Sequence, residues 1–279
     1  MGNYYCLVAG LPDVAFDGSK ANYSIERFRE ELYPLLDEQD AKLVDLFFLS
    51  WDNNNILTML SRGYDCVLSC VGCYSQERLV SIINSVKEGD TAGDDVPSYI
   101  SDFLTFYFEN EESGEYMWSD LLSARYYEYA MSVSNKFLAS WFEFNLNVNN
   151  ILVALLARKY KLSIADCVLG NNEVADALRS SSTRDFGLSN TVECFEQLVR
   201  LSENDRLHER ERQLDEIRWK WLDDNSVFNY FTVEKLYIFL QKLDMIERWA
   251  ALDSDMGMQR YNELIEGLKS GAVFTDTKN

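Results

Sequence analysis

One histidine, His208, stands in 279 residues. A Ser-His-Asp or Cys-His arrangement would have to use it, yet it lies between Arg206 and Arg210 in a charged segment and reads as solvent-facing. Phosphate loops are missing too: neither Gly-x-Gly-x-x-Gly nor a Gly-Lys-Ser/Thr ending occurs. Three prolines and 13 glycines leave long stretches without the punctuation of short strands, which favours helices. No apolar run approaches the roughly 18–20 residues that cross a bilayer. The opening Tyr4–Leu11 segment is short and lacks a basic flank, so we expect neither a signal peptide nor export from the cytoplasm. Bases are scarce as well, 26 Lys and Arg against 46 Asp and Glu, a net charge of −20. Such a field repels phosphate backbones, which argues against nucleic acid as a partner.

What is present is apolar and helical. The hydrophobic fraction of 47% and aromatic fraction of 14% suffice for a packed core. Residues 90–128 carry ten carboxylates and one base, Arg125, a pattern read as a solvated surface or a docking face for a basic partner. Six cysteines over this length fit reduced thiols better than a disulfide framework. Cys66, Cys70 and Cys73 have the Cys-x3-Cys-x2-Cys spacing of an iron-sulfur loop in radical enzymes that use S-adenosylmethionine. Gly72 stands where that motif carries an aromatic, and no strand–helix alternation surrounds it. On a helix the same positions simply share one face. Zinc lacks a fourth ligand nearby. We therefore expect no enzyme activity, no cofactor and no metal.

One phrase occurs twice. At an offset of 95 residues, Phe47, Asn54, Asn55, Ile56, Leu57 and Leu60 are matched by Phe142, Asn149, Asn150, Ile151, Leu152 and Leu155, and Asp52 is answered by Asn147. Self-similarity of this kind points to related helical units, although a polar cap before an apolar run is also a common way to begin a helix. Asp52 and Asn147 read as N-caps, the first opening a helix to Arg62 and the second restarting a helix broken near Asn145–Val148. Asn55 and Asn150 can reach back to the cap or across to a neighbour, and Ile56 and Ile151 drive each helix into the core.

The remaining elements follow from caps and periodicity. Ser24 caps a helix from Ile25 to about Leu36 that Pro34 bends or shortens, and a second helix runs from Asp40 to Leu49. Ser75 opens another with Leu79, Ile82, Ile83 and Val86 as its stripe. Residues 89–97 are the linker candidate, followed by a helix from Tyr99 to about Glu109 and a mostly helical Met117–Tyr160. Ser163 caps a short helix and Glu173–Leu178 forms the next. Thr191 starts a long one that is interrupted or solvated at Ser202–Arg212. Thr232 caps a helix to about Leu252, and Met258–Leu268 is the last. The expected class is all-α, with at most one short strand at the N-terminus.

The stretch Phe144-Asn145-Leu146-Asn147-Val148-Asn149-Asn150-Ile151-Leu152-Val153-Ala154-Leu155-Leu156-Ala157-Arg158-Lys159-Tyr160 resembles a recurring element of the C-type rotor subunit of V/A-type rotary ATPases, called d-type in the eukaryotic enzyme. That element reads roughly aromatic-x-Asp-x-x-Asn-Ile-x-x-Leu-Leu-Arg-x-Lys. Asp52-x-x-Asn55-Ile56 with Leu60 and Arg62 is similar to an earlier copy, and Phe231–Glu247 to a degenerate third. Asn3–Asp13 resembles the opening of an uncharacterised bacterial family found beside such subunits. Two departures stand out: Asn147 replaces the expected Asp, and a Gly-Gly loop is present only as Gly170-Asn171-Asn172. The resemblance implies a non-catalytic helical funnel with sub-bundles near 1–92, 93–190 and 191–279. It would sit peripherally on the cytoplasmic mouth of the membrane proteolipid ring, receive the central-stalk subunits and pass torque. The other readings are a helical-repeat scaffold of an unrelated pathway and, behind it, the iron-sulfur enzyme.

Overall fold

The computed structural model describes residues 4–16, 23–68, 70–112, 117–227 and 230–252. In chain order the helices are α1 Tyr5–Ala9, α2 Ile25–Glu31, α3 Glu38–Arg62, α4 Gln76–Lys87, α5 Ser98–Asn110, α6 Trp118–Met131, α7 Lys136–Tyr160, α8 Ile164–Cys167, α9 Glu173–Ser180, α10 Phe195–Glu203 and α11 Leu207–Asp224. A twelfth, α12, covers 233–252. The protein is all-α. Among the described residues no strand occurs, and the N-terminal segment considered for one is helix α1. The helix expected at Met258–Leu268 lies outside the described residues.

The two longest helices, α3 and α7, are 25 residues each. Asp37 begins α3 by accepting from the Asp40 N–H at 2.8 Å, with Glu38 and Asp40 in the first turn and Arg62 in the last, in the sense the helix dipole favours. Asn135 begins α7 by accepting from the Leu138 N–H at 3.1 Å, and Arg158 and Lys159 close it. Each ends at a residue with positive φ, Gly63 at 91° and Lys161 at 58°.

Three expectations fail here. The helices expected at 40–49 and from Asp52 are one, because nothing between Leu49 and Asp52 breaks the ladder and the Ser50 hydroxyl donates back to the Phe47 carbonyl at 2.7 Å. Nor does α7 break near Asn145–Val148; the Asn145 carboxamide donates to the Trp141 carbonyl one turn earlier at 2.8 Å. The interruption falls at 132–135, a run of Ser, Val and Asn that holds a helix poorly and supplies its next cap. Thr191 does not start a helix either. α10 begins at Phe195, and the chain breaks at 204–206 before α11.

Other starts follow their sequence signals. Ser24 accepts from the Arg27 N–H at 3.1 Å, and Pro34 ends α2 in a single 3₁₀ turn, Tyr33–Leu35. Ser75 accepts from the Arg78 N–H at 3.3 Å. Thr232 precedes α12 with its hydroxyl buried and unbonded, and only its carbonyl serves the first turn, accepting from the Lys235 N–H at 3.1 Å.

The chain divides into two compact units. The larger spans Asp37–Asn225 and holds α3 to α11. The smaller joins the two ends of the sequence, and within it the Ile25 N–H donates to Glu247 of α12 at 2.8 Å and the Tyr4 N–H to the Phe231 carbonyl at 2.9 Å. The division falls at 36/37 and 225/226. Inside the larger unit, Ile56, Met59, Leu79, Ile82, Ile83 and Phe103 are essentially inaccessible beside α3. Ile151, Ala154, Ala175, Leu178, Phe195 and Leu198 form the matching core beside α7. Each such side chain contributes about 1.5–3 kcal/mol on burial, the small alanines excepted.

Candidate functional site

The repeated residues act in mid-helix. Asn55 donates its carboxamide N–H to the Cys70 carbonyl at 2.9 Å, clamping the loop that follows α3. Asn150 does the same to the loop after α7 and completes the pair: it donates to the Leu169 carbonyl at 2.7 Å and accepts from the Leu169 N–H at 2.9 Å. One turn earlier, Asp52 accepts from the Cys73 N–H at 2.7 Å, and Asn147 accepts from the Asn172 side chain at 2.7 Å. Two residues beyond Cys73, Ser75 caps α4; Asn172 itself caps α9 through the Ala175 N–H at 3.0 Å. Asp52 and Asn147 are therefore not N-caps. They anchor the return loop so that its own polar residue caps the next helix. Ile56 and Ile151 are both at 0% exposure and face the cores.

The first anchor is the tighter one. Asp52 is fully buried, and a Cβ built on Gly72 would fall 2.1 Å from its Oδ1, so only glycine lets the loop backbone come this close. The second loop passes over Leu146 with more room: a Cβ on Gly170 would meet Leu146 at 3.1 Å, and Gly170 has φ of 72°.

Cys66, Cys70 and Cys73 lie in the loop after α3 and not on a helix face. Cys70 and Cys73 lend their backbones to Asn55 and Asp52, and the Cys73 thiol points at the Asp45 carbonyl, 3.6 Å away. Among the described residues no group of three or more His, Cys, Asp or Glu is placed to hold a metal. His208 is exposed on the first turn of α11.

Sequence reasoning missed a polar tie and the groove beside it. The Arg218 guanidinium of α11 donates to Asn145 and Asn149 of α7 at 3.0 Å each and to Asp215, a carboxylate at 0% exposure, at 3.1 Å. Asn149 in turn donates to the Tyr127 hydroxyl at 3.2 Å, a phenol whose pKa is raised by burial. The available signal was the four-residue spacing of Asn145 and Asn149, which puts both on one helix face. Beside this tie, α7, the 191–197 segment and α11 enclose a groove of about 500 Å³. Its floor is Phe144, Val148, Val192, Ile217 and Trp221, with Phe144 and Trp221 stacked at 5.2 Å. Asn147, one of the repeated residues, lines it too. Cys194 is in the wall, its thiol pushed up in pKa by burial, which works against a thiolate nucleophile.

Fold and site together define an all-helical protein built on a twice-used helix–loop–helix clamp, with a groove beside the second copy. Residues 1–272 match the model of a family described as "Protein of unknown function (DUF2764)", and the chain belongs to that family. No curated protein and no solved structure matches the chain.

Proposed function

We propose that this chain is the non-catalytic adaptor of a V/A-type rotary ATPase, joining the central stalk to the membrane proteolipid ring and transmitting torque for ion transport. The observation that carries the reading is the clamp pair: two 25-residue helices, each pinned to its return loop by an asparagine at the matching position. A torque adaptor needs stiff modules of related shape, and side-chain ties from mid-helix to loop supply stiffness where a loop would otherwise hinge. The resemblance of residues 144–160 to the recurring element of the C-type rotor subunit adds the identity of the machine. No helix among the described residues is long and apolar enough to cross a membrane, which suits a subunit seated peripherally on the cytoplasmic face.

The test is recovery of the tagged full chain from membranes solubilised in mild detergent. Stalk subunits and the proteolipid ring should come with it in fixed proportion. A chain that separates from every rotor component ends the proposal and leaves a helical-repeat scaffold of another pathway. A second readout is coupling: without the chain, ATP hydrolysis by the motor should persist while ion pumping falls.

A further inference from the structure

The two copies differ on one helix face. The 95-residue offset pairs Phe48 with Glu143, Leu49 with Phe144, Asp52 with Asn147 and Asn53 with Val148. In the first copy all four are buried, at 1%, 3%, 0% and 7% exposure. Helices α5 and α6 serve this region: Tyr99 of α5 donates to the Asn53 carboxamide oxygen at 2.8 Å, and Tyr126 of α6 donates to the Leu46 carbonyl. In the second copy only Val148 is fully buried. Glu143 is exposed, Phe144 and Asn147 are half-buried, and this face borders the groove. Asn147 gives its oxygen to Asn172, while its N–H donors have no hydrogen-bond partner among the described residues. The groove rim carries Glu143, Glu193 and Asp224 against a single cation, Lys220.

We propose that this groove receives an amphipathic helix of a partner protein, with its apolar stripe on Phe144, Ile217 and Trp221 and its Lys or Arg side chains against the three carboxylates. The physical argument is complementarity on two counts. In the first copy this face is buried, whereas in the second an apolar floor lies open between α7 and α11, and a helix laid along it would cover it. An excess of carboxylates around an apolar floor repels an acidic helix and attracts a basic one. A small molecule does not explain the exposed, mainly acidic rim. The inference goes beyond the rotary reading and does not rest on it.

The experiment places p-benzoylphenylalanine at Gln197, an exposed groove residue, in the full chain within its native cells. The captured peptide is then sequenced. It should come from another protein and show an apolar stripe at helical spacing flanked by Lys or Arg. Its yield should fall about tenfold or more in a Glu143→Lys/Glu193→Lys variant and stay within about twofold in Glu196→Lys, an exposed change one residue away and outside the groove. Melting within about two degrees of the parent confirms that the double variant folds; if it does not, Glu143→Gln/Glu193→Gln replaces it, with the same direction expected. The captured segment, made as a peptide, should bind the full chain and its same-composition scramble should not. Capture of a second copy of this chain, of an acidic segment, of a small molecule or of nothing overturns the inference, as does a yield indifferent to charge reversal or a scramble that binds equally. A basic helix from outside the rotor would sink the rotary reading alone, whereas stalk co-purification without groove capture would sink this one alone.

Discussion

The first and second clamps solve the same folding problem with different chemistry, and their surroundings follow suit. In the first, a fully buried carboxylate, Asp52, grips a loop backbone that approaches closely enough to demand Gly72. In the second, a half-buried carboxamide, Asn147, grips another side chain, Asn172, and Asn150 closes two bonds where Asn55 closes one. The carboxylate site is tight and covered. The carboxamide site is looser and left open on one side. The lesson is that a repeated motif conserves the tie between helix and loop while freeing the outer face to change its role.

The comparison can be broken most decisively at the asparagines. Replacing Asn150 with Leu strands both backbone groups of half-buried Leu169 and puts an apolar side chain in place of a buried tie, and should lower stability by about 4 kcal/mol. Asn55→Leu strands one carbonyl, so about 2 kcal/mol is expected, measured by chemical denaturation of each variant. Equal losses, or none with partner binding destroyed, would show that the two residues are not structural equivalents with unequal loads.

The glycines sharpen the contrast next. Gly72→Ala drives a methyl into the Asp52 carboxylate and should lower stability by about 3 kcal/mol, because the short buried side chain has nowhere to go. Gly170→Ala meets only Leu146 at 3.1 Å and a positive φ, for about 1 kcal/mol. A melt in which Gly170→Ala is the more damaging would invert the assignment of tight and loose copies. Between these falls Arg218→Leu. It removes a cation beside buried Asp215 and three ties at once, but α11 keeps its apolar packing, and a loss of about 2 kcal/mol is expected in the same assay.

The smallest effect lies in the loop after α9. Asp185 accepts from the Ser189 hydroxyl at 2.7 Å and the Gly187 N–H at 3.1 Å. The Ser189 bond first, then Gly187 and Thr183, hold its pKa at about 2, below the usual 3.8. A depressed carboxylate contributes stability above the unfolded value and loses it as pH falls toward the folded one. The protection of amides 183–189, relative to their intrinsic exchange rates, should therefore fall between about pH 4 and 2, and Asp185→Asn should flatten that dependence. Unchanged protection in the parent over that window would remove Asp185 from the account of the loop.

Much of the fold was legible in the residues. Ser24 and Ser75 cap where their positions suggested, Pro34 ends α2, and the apolar stripe of Leu79, Ile82 and Ile83 is buried. Asp52 and Asn147 misled because an Asp or Asn before an apolar run is the same local signal whether it caps a helix or sits within one. Only the loop returning from 21 and 25 residues away, at Cys73 and Asn172, distinguishes the two cases. The Arg218 tie was hidden for a similar reason. Arg218 has no local partner signal for Asn145 and Asn149 until α11 is laid against α7.

By itself the sequence determined that the chain is helical, where most helices start, and that two stretches 95 residues apart read alike, because caps, breakers and apolar spacing act within a few residues. It did not determine that the two helices run unbroken for 25 residues, that their polar residues hold loops, or that one face is covered and the other open. Those outcomes depend on which groups meet across long sequence separations, and a buried hydrogen bond or an exposed floor exists only once the helices have packed.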